Sequence, residues 1–155
     1  MSQPDLRTKL KGIKLIVLDV DGVLTDGRII LGSGGMELKF FDSQDGMGIT
    51  LARKAGLRVA IITGRRSEAV ARRAVELEVD DTFQNCPDKL PPYLHLLDKY
   101  GLTDQEVACV ADDLVDLPIF RRAGFKVAVG NAVEEIKALA DYVTHARGGR
   151  GAVRE

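Results

Sequence analysis

Four short apolar runs recur along the chain with longer amphipathic stretches between them. They are Ile13–Leu18 (IKLIVL), Arg58–Ile62 (RVAII), Glu106–Val110 (EVACV) and Lys126–Val129 (KVAV). Each is too short for an ordinary helix and lies close to Gly or Asp, so each reads as a strand buried on both faces. The intervening spacing predicts helices at Gly46–Ala55, Ser67–Leu77, Leu90–Tyr100, Leu114–Ala123 and Val133–Leu139. Gly56, Gly101 and Gly124 stand where left-handed C-caps would end three of them. Such strand and helix alternation implies an α/β fold, a doubly wound parallel sheet with right-handed crossovers.

One segment interrupts the alternation. Residues 27–42 read GRIILGSGGMELKFFD, two β-prone runs around Gly32-Ser33-Gly34-Gly35, which predicts a β-hairpin inserted after the first strand. The last stretch, 146–155 (ARGGRGAVRE), is rich in Gly and Arg and is expected to be a flexible tail without regular structure. With 155 residues and no internal repeat or linker, the expectation is a single domain spanning 1–155. A chain of that size buries roughly 70% of the surface exposed when unfolded, enough for a core without staples.

The 22 Lys and Arg residues nearly balance 23 Asp and Glu, so bulk charge points to neither a nucleic-acid nor a membrane partner. No apolar run approaches the ~20 residues needed to span a bilayer. The N-terminal MSQPDLRTKLKG carries no apolar signal-peptide core, and two cysteines, Cys86 and Cys109, make no disulfide framework. The expected setting is cytoplasmic and reducing.

In an open α/β sheet, ligands bind beyond the carboxyl ends of the strands. Asp19-Val20-Asp21-Gly22-Val23-Leu24-Thr25 follows the first predicted strand, and Thr63-Gly64-Arg65 follows the second. Lys89 stands at a predicted helix start, and Asp112-Asp113-Leu114-Val115-Asp116 follows the next strand. Carboxylates gathered on one edge would repel one another in a partly desolvated cleft, and a hard cation with oxygen ligands would relieve that. Mg²⁺ suits a few carboxylates plus a substrate phosphate, whereas no Cys or His stands in zinc-ligand spacing. Taken singly, each Asp reads equally well as a helix cap, Lys89 as a solvated residue and Thr63-Gly64 as a turn. The ordered set is much harder to explain structurally. Asp19 and Asp21, two residues apart on an extended segment, point to the same side, so one can attack a phosphorus atom while the other reaches the departing oxygen.

Together these motifs make the chain resemble the haloacid dehalogenase superfamily of phosphohydrolases over nearly its whole length. The resemblance implies a Rossmann-like sheet of that superfamily's type. It implies Asp19 as nucleophile, forming an aspartyl-phosphate, and Asp21 as the acid and base that serves the leaving group and then water. Thr63 and Lys89 would hold the phosphoryl group. Mg²⁺ would bind to Asp19, Asp112 and the backbone carbonyl of Asp21, with Asp113 and Asp116 supporting that shell.

With only a hairpin after motif one and room for one helix and one strand between Arg65 and Lys89, the chain is capless. In detail, DVDGVLTDG, DGMGI, IITGR, DDLVDLP and ADYVTHARGGRGAVRE resemble the capless subgroup that hydrolyses 3-deoxy-D-manno-octulosonate 8-phosphate. That resemblance implies a small sugar-acid phosphate substrate, bound near Gly64, Arg65 and the tail, and a homotetramer whose hairpins form a barrel. The tail can then reach a neighbouring site, although Arg147, Arg150 and Arg154 read equally as a solvated terminus. A nonulosonic acid 9-phosphate and a non-catalytic assembly role are the alternatives. Two departures stand out. Ala111 replaces a usual Gly and would be strained at positive φ, and Asn85-Cys86 follows Gln84 where Gly is common. Asp45 reads as a cap for the helix after the hairpin.

Overall fold

A computed structural model describes residues 8–155; residues 1–7, the first part of the stretch read above for a signal segment, lie outside the described residues. The four expected strands form as β1 (Leu15–Leu18), β4 (Arg58–Ile62), β6 (Val107–Ala111) and β7 (Phe125–Ala128). Two short strands, β5 (Asp81–Phe83) and β8 (Tyr142–Val143), complete a six-stranded sheet in the order β5-β4-β1-β6-β7-β8. Every pairing in it is parallel. β5 and β8 are edge strands of three and two residues with half-buried side chains, too short for the continuous apolar run that marks a central strand.

The register lines up the strand ends. Leu18 lies opposite both Ile61 and Val110, so the residues just beyond β1, β4 and β6 emerge on one edge. β1 sits between β4 and β6, where the strand order reverses and a crevice opens. Strands β2 (Ile30–Leu31) and β3 (Glu37–Leu38) form the predicted antiparallel hairpin, with a short 3₁₀ turn at Ser33–Gly35.

Beyond β1, the α-helices are α1 (Ser43–Lys54), α2 (Glu68–Glu76), α3 (Leu90–Tyr100), α4 (Leu117–Phe120) and α5 (Glu134–Lys137). α1 is capped by Asp42, whose carboxylate accepts from the Gln44 amide at 2.6 Å. α3 tolerates Pro91 and Pro92 because first-turn amides have no intrahelical partner, and it ends at Gly101 in the left-handed region (φ 61°). The helix expected over Leu114–Ala123 is shorter. A 3₁₀ turn at Leu114–Asp116, held by Asp113 and Asp116 as a capping box, precedes the single turn of α4. There the carboxylates bond backbone amides in place of helical partners. α5 likewise covers only the centre of the segment expected to be helical.

Leu15, Leu18, Ile62, Tyr93, Leu96, Phe120 and Ile136 are all fully buried in one continuous core. Leu18 is both the last residue of β1 and the packing anchor immediately before Asp19. Leu18→Ala is expected to cost about 3 kcal/mol of stability, measured by urea unfolding.

Candidate active site

Asp19 leaves β1 almost buried, at 7% exposure, with its amide bonded to the Val110 carbonyl of β6. The chain then turns sharply. The Thr25 hydroxyl accepts from the Gly22 and Gly27 amides and donates to the Val20 carbonyl, so this loop is shaped from inside. Gly22 has φ +93°, and a Cβ there would lie 1.9 Å from Asp112 Oδ2, so only glycine permits the approach.

Lys89 reaches the crevice from the start of α3 with its side chain 1% exposed. Its ammonium lies 2.7 Å from Asp19 Oδ1 and 2.6 Å from Asp116 Oδ1. The other Asp116 oxygen accepts long bonds from the Asp112 and Asp113 amides, at 3.4 and 3.5 Å. Asp113 turns aside to cap the Leu114 amide at 2.7 Å. Asp112 Oδ1 is buried without a hydrogen-bond partner.

One ammonium does not balance three carboxylates. Burial, then the charge of Asp116, lifts Asp19 from 3.8 to about 6 despite Lys89. Asp112 rises to about 8, first through burial and then through Asp19, Asp116 and Asp113. Burial works against the Lys89 charge, but Asp19 and Asp116 carry its pKa above the usual lysine range.

Oxygens of Asp19, Asp112 and Asp116 lie within 4.8 Å of one another. The Asp116 oxygens are already committed to Lys89 and to backbone amides, whereas Asp112 Oδ1 has no partner. A hard divalent cation therefore fits best between Asp19 and Asp112, where it meets an all-oxygen donor set and the least compensated charge.

Thr63 is buried at the end of β4, while Gly64 and Arg65 are exposed beside it. The Asp21 carboxylate does not join the acidic group. It pairs with Lys39, and Arg65 Nε lies 3.9 Å from its other oxygen. Lys39 escaped the sequence reading. Its signal was the alternation in MELKFFD, which sets Glu37 and Lys39 on one face of β3 and Met36, Leu38 and Phe40 on the other.

Two further sets of contacts were not foreseen. Asn131 donates to the Gly22 carbonyl at 2.9 Å and accepts from the Gly148 amide, and the Gly149 amide bonds Val23. The tail thus packs on this chain's own first loop. Asp45, read above as a helix cap, lies within α1 and accepts from the Gly151 and Arg154 amides, the capping role falling to Asp42. Ala111 is not at positive φ, so its methyl is accommodated as ordinary strand. Asn85 does occupy the left-handed region (φ 58°), which explains a usual Gly there and why Asn can replace it.

Comparison with known proteins gives a consistent result. Residues 88–153 match the haloacid dehalogenase-like hydrolase family. The 3-deoxy-D-manno-octulosonate 8-phosphate phosphatase KdsC of Salmonella typhimurium is 45% identical over 98% of this chain and 81% of its own length. The namesake from Escherichia coli K12 is 44% identical over 97% and 80%. The crystal structure of the Moraxella catarrhalis phosphatase of that name, in complex with magnesium ion, phosphate ion and a KDO molecule, superposes with a TM-score of 0.95. It is 44% identical over 99% of this chain and 88% of its own.

The carboxylate crowding predicts how stability changes with pH. Between about pH 4 and 8, folded Asp19 and Asp112 retain protons that the unfolded chain has released, so stability falls as pH rises. In EDTA the melting temperature is expected to drop from pH 5 to pH 8. Saturating Mg²⁺ is expected to flatten that slope, with its largest stabilisation at pH 8, measured by scanning calorimetry. A metal-free Tm that does not change across this range would contradict the account.

Proposed function

The chain belongs to the haloacid dehalogenase-like hydrolases, and on that premise we propose that it hydrolyses 3-deoxy-D-manno-octulosonate 8-phosphate through Asp19. One observation carries this reading. Asp19, at the strand end, has one oxygen on Lys89 and lies beside an Asp112 oxygen that lacks any partner.

With Oδ1 held by Lys89, the other Asp19 oxygen is the one that attacks phosphorus. As the new O–P bond forms, the bond to the sugar oxygen breaks and Asp21 supplies that oxygen with a proton. Asp21 then takes a proton from water as it attacks the aspartyl-phosphate, releasing phosphate and restoring Asp19. Splitting the hydrolysis into two displacements avoids one much slower direct step. Thr63 and Lys89 hold the phosphoryl oxygens in place, the ammonium offsetting part of their charge. Bound by Asp19, Asp112 and the backbone carbonyl of Asp21, Mg²⁺ supplies further neutralisation of those oxygens. Asp116 and Asp113 support this arrangement by fixing Lys89 and the loop after β6. Gly64 is exposed beside Arg65, whose planar fork suits the sugar-acid carboxylate.

The same reading includes a homotetramer. Its support is the hairpin's exposed apolar surface, with Leu31 72%, Phe40 63% and Met36 55% accessible. Free Cys86 and Cys109 accord with a reducing cytoplasm.

Asp19→Asn is nearly isosteric and is expected to lower kcat at least about 10⁴-fold, read by phosphate release, in a protein that still melts cooperatively. A side-by-side assay against a nonulosonic acid 9-phosphate is expected to favour the eight-carbon substrate, and the opposite preference would reassign it. Sedimentation is expected to give a tetramer that Leu31→Lys with Phe40→Lys disperses, so a fully active wild-type monomer would refute the assembly.

A further inference from the structure

Although Asp21 follows Asp19 by two residues, its carboxylate is held by a separate set of charges. Strand β3 runs into Lys39, whose side chain is 1% exposed and bonds Asp21 Oδ1. Glu37, on the same face of the hairpin, lies 3.5 Å from that ammonium. Arg65 closes the ring, with Nη2 3.0 Å from Glu37 and Nε 3.9 Å from Asp21 Oδ2.

A lysine on a surface hairpin ordinarily keeps its ammonium in water. Burying it is costly unless anionic partners answer the charge, and here two do. The contacts divide the Asp21 oxygens. Oδ1 accepts a charged hydrogen bond from Lys39, whereas Oδ2 has only the 3.9 Å approach of Arg65. A charged hydrogen bond to one oxygen restrains rotation of the carboxylate and so favours one direction for the other oxygen.

We propose that Lys39 is the positioning residue for Asp21: by holding Oδ1, it aims Oδ2 at the oxygen of the departing alcohol. This rests on the reading of Asp21 as the group that protonates that oxygen. When the P–O bond breaks, its electron pair stays on the alcohol oxygen and the proton on Asp21 Oδ2 moves to it. Lys39 keeps its protons and touches neither phosphate nor alcohol. Glu37 and Arg65 hold the ammonium and the far side of the carboxylate, so the hairpin participates in the chemistry through one side chain.

The test exploits the leaving group. p-Nitrophenolate departs without protonation, whereas an alkoxide needs a proton, and kcat/KM covers the steps through that departure. Wild type, D21N, K39M and K39R are compared on p-nitrophenyl phosphate and on the sugar-acid phosphate. K39M is expected to lose about 100-fold in kcat/KM on the alkyl ester and under about 3-fold on the aryl ester, within the range for general acid catalysis. K39R is expected to recover most of the loss, and Mg²⁺-induced stabilisation is expected to be unchanged in both. Should K39M show no cooperative melting, K39Q replaces it, with the same selective loss on the alkyl ester expected. Equal losses on both esters, or none, overturn the proposal while a selective loss in D21N leaves the role of Asp21 intact. A D21N protein without selective loss removes that role and the proposal together.

Discussion

Lys89 Nζ stands between two buried carboxylates, 2.7 Å from Asp19 and 2.6 Å from Asp116, and much of the local architecture follows from that placement. Three acids converge where the sheet splits, yet one ammonium is shared by two of them. The protein satisfies Asp116 completely, with Lys89 on one oxygen and two loop amides on the other. It leaves Asp112 the least compensated, with Oδ1 lacking a partner, so the unfavourable charge is concentrated at one position and not spread evenly. Local instability of this kind is a recurrent property of functional sites, because a ligand can relieve it.

Two groups of contacts therefore serve different steps. On one side, Lys89, Asp19, Asp112 and Asp116 form a charged core suited to a phosphoryl group and a cation. On the other, Lys39, Glu37 and Arg65 surround Asp21. Val20 separates the two acids along the chain, and its side chain is fully buried. The sharp turn that begins at Val20, in place of the extended segment expected from sequence, sends the two carboxylates into distinct electrostatic surroundings, the usual means by which two acids of one site acquire different tasks.

Much of this was legible in sequence because strong local signals coincide with the elements that matter. β4 appears at its expected bounds since RVAII is a continuous buried run, and α3 does so since its start and stop are both marked, by two prolines and by Gly101. Asp19, Thr63, Lys89 and Asp112 were placed together because strand ends in a parallel sheet share an edge. What stayed hidden depends on long-range pairing. Lys39 reads as an ordinary alternating charge until the hairpin folds back onto the first loop. Asp45 looks like a helix cap, but buried within α1 it accepts amides about a hundred residues away. β5 and β8 are edge strands whose sequences carry no run to recognise.

The glycines at 148 and 149 shape the first loop by pressing backbone against backbone, and Asn131 fastens them to Gly22 across 109 residues of chain. During synthesis Gly22 emerges 109 residues before Asn131, so the loop that carries the reactive acids precedes the piece that moulds it. Contacts of such long sequence separation close late, after the entropy of the intervening chain has been overcome. Until residues 131–149 are made, Asp19 and Asp21 lack the backbone that sets their loop. Order at the reactive acids thus depends on residues 131–149, far along the chain from the loop they shape.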